Sequence, residues 1–95
     1  MHSHRKMDPD AAAAVAIDAF SFIAENDERL GRFLDRTGLT PDGIREAAAS
    51  PGFLVAVLDH VAADETLLLD LARSLATRPE RIMEARHTLS PSEFS

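Results

Sequence analysis

The chain contains no cysteine, no tryptophan and no tyrosine, and Lys6 is its sole lysine. Without cysteine there is no disulfide framework, no thiolate nucleophile and no cysteine-type zinc site. Basic clustering is also missing. Ten basic residues are interleaved with sixteen acidic ones, for a net charge of −6. A broad grip on phosphates needs clustered Lys and Arg, so nucleic acid and anionic membranes are disfavoured as partners. Long apolar runs are lacking too. The longest are Val15-Ala16-Ile17 with the alanines before them and Phe53 to Leu58. Both fall far short of the roughly 20 residues that cross a bilayer. The start, Met1 to Lys6, is basic, but Asp8 and Asp10 follow at once and break a signal-peptide pattern. A cytoplasmic protein is expected, with no cofactor and no small-molecule ligand implied.

What is present is a chain of 95 residues, 45% of them hydrophobic. That suffices for one domain with a modest core. Sustained period-two alternation is absent and Ala, Leu, Arg and Glu dominate, so the expected fold is all-α. Punctuation divides it into a compact bundle of about six short helices. Asp8-Pro9 opens the first, which runs to about Glu25. Asn26 caps the second, with Asp27 and Glu28 in its first turn, and Gly38 ends it in a left-handed conformation followed by Leu39. Thr40-Pro41 starts a short third helix, to about Ala48, weakened inside by Gly43. Ser50-Pro51 opens the fourth, to about Ala62. Asp64 caps the fifth, which ends near Ala76. Pro79 marks the sixth, to about Leu89. Thr77 and Glu80 have capping-box spacing, but a residue before proline avoids the α region, which makes Arg78 the alternative boundary. A single domain over residues 8–89 is expected, with flexible tails at 1–7 and 90–95.

Apolar stripes fit these divisions. The second helix collects Leu30, Phe33 and Leu34 on one side; the fifth collects Leu67, Leu68, Leu71, Ala72 and Leu75. The fourth, with Phe53, Leu54, Val57, Leu58 and Val61, is the most apolar and is placed centrally. The first helix differs. Its apolar residues cover an arc of roughly 200°, about twice what a surface helix facing one core needs. Either helices on both sides enclose it, or a second chain covers its outer edge.

Shifting the sequence by 38 residues lays Leu30 on Leu68, Pro41 on Pro79, Ile44 on Ile82, Glu46 on Glu84 and Ala47 on Ala85. Two pseudo-symmetric trihelical units would give this pattern. So would the chance alignment of two amphipathic helical stretches, and the sequence leaves both open.

Residues 30 to 69 carry an ordered run: Leu30-Gly31-Arg32-Phe33-Leu34, Thr37-Gly38-Leu39, Pro41, Pro51-Gly52-Phe53-Leu54, Val57-Leu58-Asp59 and Asp64 to Leu69. This run resembles a small bacterial all-helical family, domain of unknown function 3572. The likeness extends more loosely over about residues 12 to 89. It brings no activity, so no functional residue is carried over from it. The family often has an acidic residue before the proline of its last helix. This chain has Arg78 there, so that acidic cap is not implied.

Candidate chemistry is sparse. Leu68 to Ile82 has helix-turn-helix spacing, with Ala72 and Ala76 four apart and Ile82 at a docking position. Leu34, Gly38 and Ile44 repeat it. A recognition helix needs base-reading and phosphate-binding side chains. Residues 41–48 offer Asp42, Arg45 and Glu46, and residues 79–89 offer Glu80, Arg81, Glu84, Arg86 and His87, so neither makes a good DNA face. His60 and Asp64, spaced i, i+4, would reach one metal ion, but a metal site needs three or four ligands and Asp64 serves better as a helix cap. His2 and His4 read as part of a solvated tail. Ser21, Ser50 and Ser74 lack the flanking glycines of a nucleophile elbow, and Asp27-Glu28 and Asp64-Glu65 occupy first helical turns, where the dipole accounts for them. No enzyme activity is expected. The remaining signal is apolar residues off the main stripes: Ile17, Phe20, Val55 and Leu69. Singly they mean little; together they would form an interaction surface for a partner protein or a second copy. A non-enzymatic interaction module is the first reading, and a helix-turn-helix DNA-binding or transcription-associated protein the second.

Overall fold

The computed structural model describes residues 7–48 and 50–90. It contains α1 (Pro9–Ala24), α2 (Asp27–Thr37), α3 (Pro41–Ala47), α4 (Pro51–Ala62), α5 (Glu65–Ser74) and α6 (Pro79–Leu89). No strand occurs among the described residues. The sequence punctuation accounts for nearly every boundary. Asn26 Oδ1 accepts from the Arg29 N–H at 2.9 Å, Thr40 Oγ1 from Gly43 at 3.0 Å, Ser50 Oγ from Phe53 at 3.2 Å and Asp64 Oδ1 from Leu67 at 3.2 Å. Each satisfies one of the donors a helix start leaves unpaired.

Two starts differ. Asp8 sits at the N-cap of α1 in extended backbone but makes no side-chain cap bond. Arg78, not Thr77, is the N-cap of α6, and it too makes none. Both helices begin with a proline, which lacks the first orphan donor and arrives with helical φ, so the boundary holds without a side-chain cap.

The C-termini of α2 and α5 both turn left-handed. Gly38 has φ 78° and Ala76 has φ 54°. After α5, the Thr77 N–H reaches the Ala72 carbonyl at 2.9 Å and the Ala76 N–H the Arg73 carbonyl at 3.2 Å, a Schellman-type closure. These two residues are 38 apart, the offset of the internal alignment.

Two helices form the centre. α1 and α4 pack on each other, and each also packs on α2, α5 and α6. The central position expected for α4 is therefore shared with α1. The same packing accounts for most of the wide apolar arc of α1, because helices from both halves of the chain pack on it, while Ile17 at its outer edge stays exposed. Its inner face is rich in small residues: Ala12, Ala16 and Ala19 are fully buried, and α6 contributes the fully buried Ala85. Small side chains let helix axes approach closely, and α1 packs most extensively on α6. The largest fully buried side chains are Phe33, Ile23, Leu58, Leu71, Ile82, Val57 and Val61. α3 buries no residue and lies at the periphery. α6, by contrast, has 11 residues and sends Ile82 and Ala85 into the core. Met7, expected in the leading tail, is 8% exposed and belongs to the core. Ser90 closes the other end, its hydroxyl donating to the Arg86 carbonyl at 2.8 Å. His2, His4 and the rest of the expected tails, residues 1–6 and 91–95, lie outside the described residues.

Candidate functional site

Three rings meet where α1, α2 and α4 converge. Phe20 packs edge-on against Phe33 at 5.9 Å between centroids and against Phe53 at 5.2 Å; Phe33 and Phe53 stand 6.0 Å apart at 88°. Edge-to-face pairs at such distances add about 0.5–1.5 kcal/mol beyond area burial. A fourth ring, His60 of α4, stands edge-on to Phe33 at 5.2 Å. The next residue on the apolar stripe of α4 is thus a histidine that continues an aromatic cluster.

His60 is 8% exposed, the one buried polar or charged residue among those described, and its Nδ1 has no hydrogen-bond partner. Leaving such a group unpaired costs about 1–3 kcal/mol. Burial pushes its pKa below the ordinary histidine value; Arg36 pushes in the same direction and Asp64 opposes them. A neutral imidazole at pH 7 follows.

Above His60 opens a pocket of about 310 Å³ lined by Arg29, Arg32, His60, Asp64, Thr66, Leu67 and Asp70. Its walls come from different helices. α2 supplies Arg29 and Arg32, while the cap and first turns of α5 supply Asp64, Thr66, Leu67 and Asp70. Arg29 is held in place: its guanidinium lies 3.9 Å over the Phe22 ring and donates to the Phe22 carbonyl at 3.1 Å. Cation–π contacts favour such an orientation. Asp64 caps α5 and Asp70 meets Arg73 at 3.3 Å. Among the described residues, no ion pair joins either arginine to either aspartate.

The residues singled out as an interaction surface fall in three environments. Ile17 and Leu69 are exposed, at 55% and 42%. Val55 is half-buried. Phe20 is also half-buried, but its ring is engaged in the cluster with Phe33 and Phe53. Met83 of α6, absent from the sequence-based set, is a third exposed long apolar side chain at 36%. The His60–Asp64 pair does share the pocket, yet one Asp64 oxygen is taken by the Leu67 amide. Among the described residues, no group of three His, Cys, Asp or Glu is placed to hold a metal ion. Arg29 and Arg32 lie off the apolar stripe of α2, and nothing in the helical pattern marks them as pocket-lining. Their i, i+3 spacing places both on one side of α2.

The molecule is thus a small helical bundle with a polar pocket between α2 and α5 and a few exposed apolar residues. The chain belongs to a protein family of unknown function, DUF3572, whose pattern matches residues 9–92. No curated protein and no solved structure matches it.

Proposed function

We propose that this chain is a non-enzymatic, cytoplasmic helical module that makes protein–protein contacts, with the outer edge of α1 at Ile17 as its contact point. The observation that supports this reading is the position of Ile17. It lies midway along a helix otherwise enclosed by four others, yet more than half of it meets water. Fully burying an aliphatic side chain of this size is worth about 1.5–3 kcal/mol, and a partner covering Ile17, 55% exposed, recovers roughly half of that. No described helix is long and apolar enough to cross a membrane.

Sedimentation across a concentration series, for the wild type and Ile17→Ser, tests the self-associating form. Concentration-dependent association that the substitution abolishes supports it. For a different partner, a photo-crosslinker at position 17 should join one defined polypeptide, with no such product from a crosslinker at Asp35. A monomer with no site-specific crosslink at position 17 overturns the proposal.

The helix-turn-helix reading has the sharp α5–α6 turn in its favour, since left-handed Ala76 reverses the chain within four residues, 75–78. Charge weighs against it. The charged residues of α6 are Glu80, Arg81, Glu84 and Arg86, net zero counting His87 as neutral, and those of α3 are Asp42, Arg45 and Glu46, net −1. A helix docked in a major groove needs a positive face. The turn is better read as architecture.

A further inference from the structure

We infer that the pocket between α2 and α5 binds a small zwitterion of the α-amino acid class, its carboxylate on the Arg29–Arg32 wall and its ammonium on the Asp64–Asp70 wall. Three observations carry this, and none depends on the interaction surface at Ile17. First, opposite charges line opposite sides of one pocket without closing into ion pairs with each other. Second, Arg29 is fixed by the ring and carbonyl of Phe22, so one of the two arginines of the cationic wall is preorganised. Preorganisation lowers the ordering cost of binding. Third, the lining includes a histidine more than nine-tenths buried whose Nδ1 has no partner. Buried polar groups are normally hydrogen-bonded, so this nitrogen, itself closed to solvent at the base of the pocket, leaves the site with unmet hydrogen-bonding capacity.

Charge balance selects the ligand. Two arginines and two aspartates line the walls, with Asp70 also paired to Arg73 at 3.3 Å and His60 uncharged. A simple anion such as phosphate meets the arginines but is repelled by both aspartates; a simple amine meets the reverse. A zwitterion satisfies both walls at once. The size fits as well. At about 310 Å³ the pocket lies at the small end of the range for small-molecule sites, about 300–1,000 Å³. Leu67 is its apolar wall, and Thr66 offers a hydroxyl that donates or accepts.

The test is a titration of the isotope-labelled full chain, followed by NMR at the His60 imidazole, the Arg29 and Arg32 guanidinium groups and the α5 amides. The probes are glycine, L-alanine and L-serine, with acetate and ethylamine as single-charge controls. Saturable shifts confined to these groups are expected for the zwitterions, with each control weaker by about tenfold or more, since each lacks one charge-assisted contact. Arg32→Gln and Asp64→Asn should each weaken binding by a similar factor. Arg32 is exposed and forms no ion pair among the described residues, and Asn is as good a helix cap as Asp, so both variants keep the fold. Arg45→Gln on α3, outside the pocket, should bind as the wild type does. Acetate or ethylamine binding as tightly as glycine overturns the proposal, as do non-saturating shifts or equal losses in Arg45→Gln.

Discussion

Ala76 holds a left-handed backbone, φ 54°, without the freedom of glycine, whereas Gly38 holds φ 78° with it. The left-handed region costs an L-residue roughly 1 kcal/mol relative to glycine. Ala76→Gly should therefore stabilise the protein by about 1 kcal/mol and Gly38→Ala destabilise it by about as much. Nothing lies within 4 Å of a Cβ added at Gly38, so the penalty there comes from the backbone alone. For a domain of this size each change should move the melting temperature by about 4–8 °C, in opposite directions, in calorimetry. His60 gives a second residue-scale expectation. Its folded pKa lies below the unfolded value of about 6.5. Above that value both states are neutral and the group is silent. As pH falls below it the unfolded chain takes up a proton the folded one refuses, so stability declines until the folded pKa is passed. Urea midpoints measured from pH 7.5 to 5 should fall more in the wild type than in His60→Gln. Equal slopes in the two proteins would show that the imidazole is protonated as easily folded as unfolded.

At the scale of elements, α1 decides between the two explanations of its wide apolar arc. Phe20 lies in a three-ring cluster while Ile17 faces water, so the two residues have separable roles. Phe20→Ser should lower the denaturation midpoint at every protein concentration. Ile17→Ser should leave the monomer's stability nearly unchanged and act only on association. Phe33→Ala and Leu58→Ala, which empty fully buried sites, should each cost about 2–5 kcal/mol in denaturant titrations. A loss under about 1 kcal/mol would mean that the cluster collapses around the missing ring or branch. The elements themselves were largely legible in the sequence, because prolines at Pro9, Pro41, Pro51 and Pro79 and caps at Asn26, Thr40, Ser50 and Asp64 act locally. The left-handed turn at Gly38 was equally legible. The one at Ala76 was not: alanine carries no conformational signature, and the Schellman bonds that hold it depend on α6 turning back onto the core.

Across the whole molecule, the shortest dimension is 19 Å, about the thickness of two helices laid side by side. So thin a body has few positions that are wholly enclosed, which is why small residues such as Ala12, Ala16, Ala19 and Ala85 make up much of the inner layer. The candidate pocket belongs to this scale as well. Arg29, His60 and Asp70 come from three helices, and no local pattern announces that α2 and α5 will face each other across α4. Periodicity reveals which face of a helix is apolar, not which charged faces become neighbours. With net charge −6 and no cationic face on α3 or α6, the full chain should leave duplex DNA unretarded at physiological salt in a fluorescence-anisotropy titration. Nonspecific DNA binders reach dissociation constants of about 10⁻⁴–10⁻⁶ M under such conditions, and sub-micromolar affinity with a steep salt dependence would restore the helix-turn-helix reading.

The extensive packing of α1 on α6 joins segments separated by the 54 residues from 25 to 78. During synthesis the alanine face of α1 thus leaves the ribosome well before α6, the neighbour it packs on most extensively. Every nascent chain passes through a period in which Ala12, Ala16, Ala19 and Ile23 have no α6 to cover them. At about 5–20 residues per second that interval lasts several seconds, long enough for a chaperone to bind. Ribosome-stalled chains halted before Pro79 should be cleaved readily by protease, and chains long enough to bring Leu89 clear of the exit tunnel should resist.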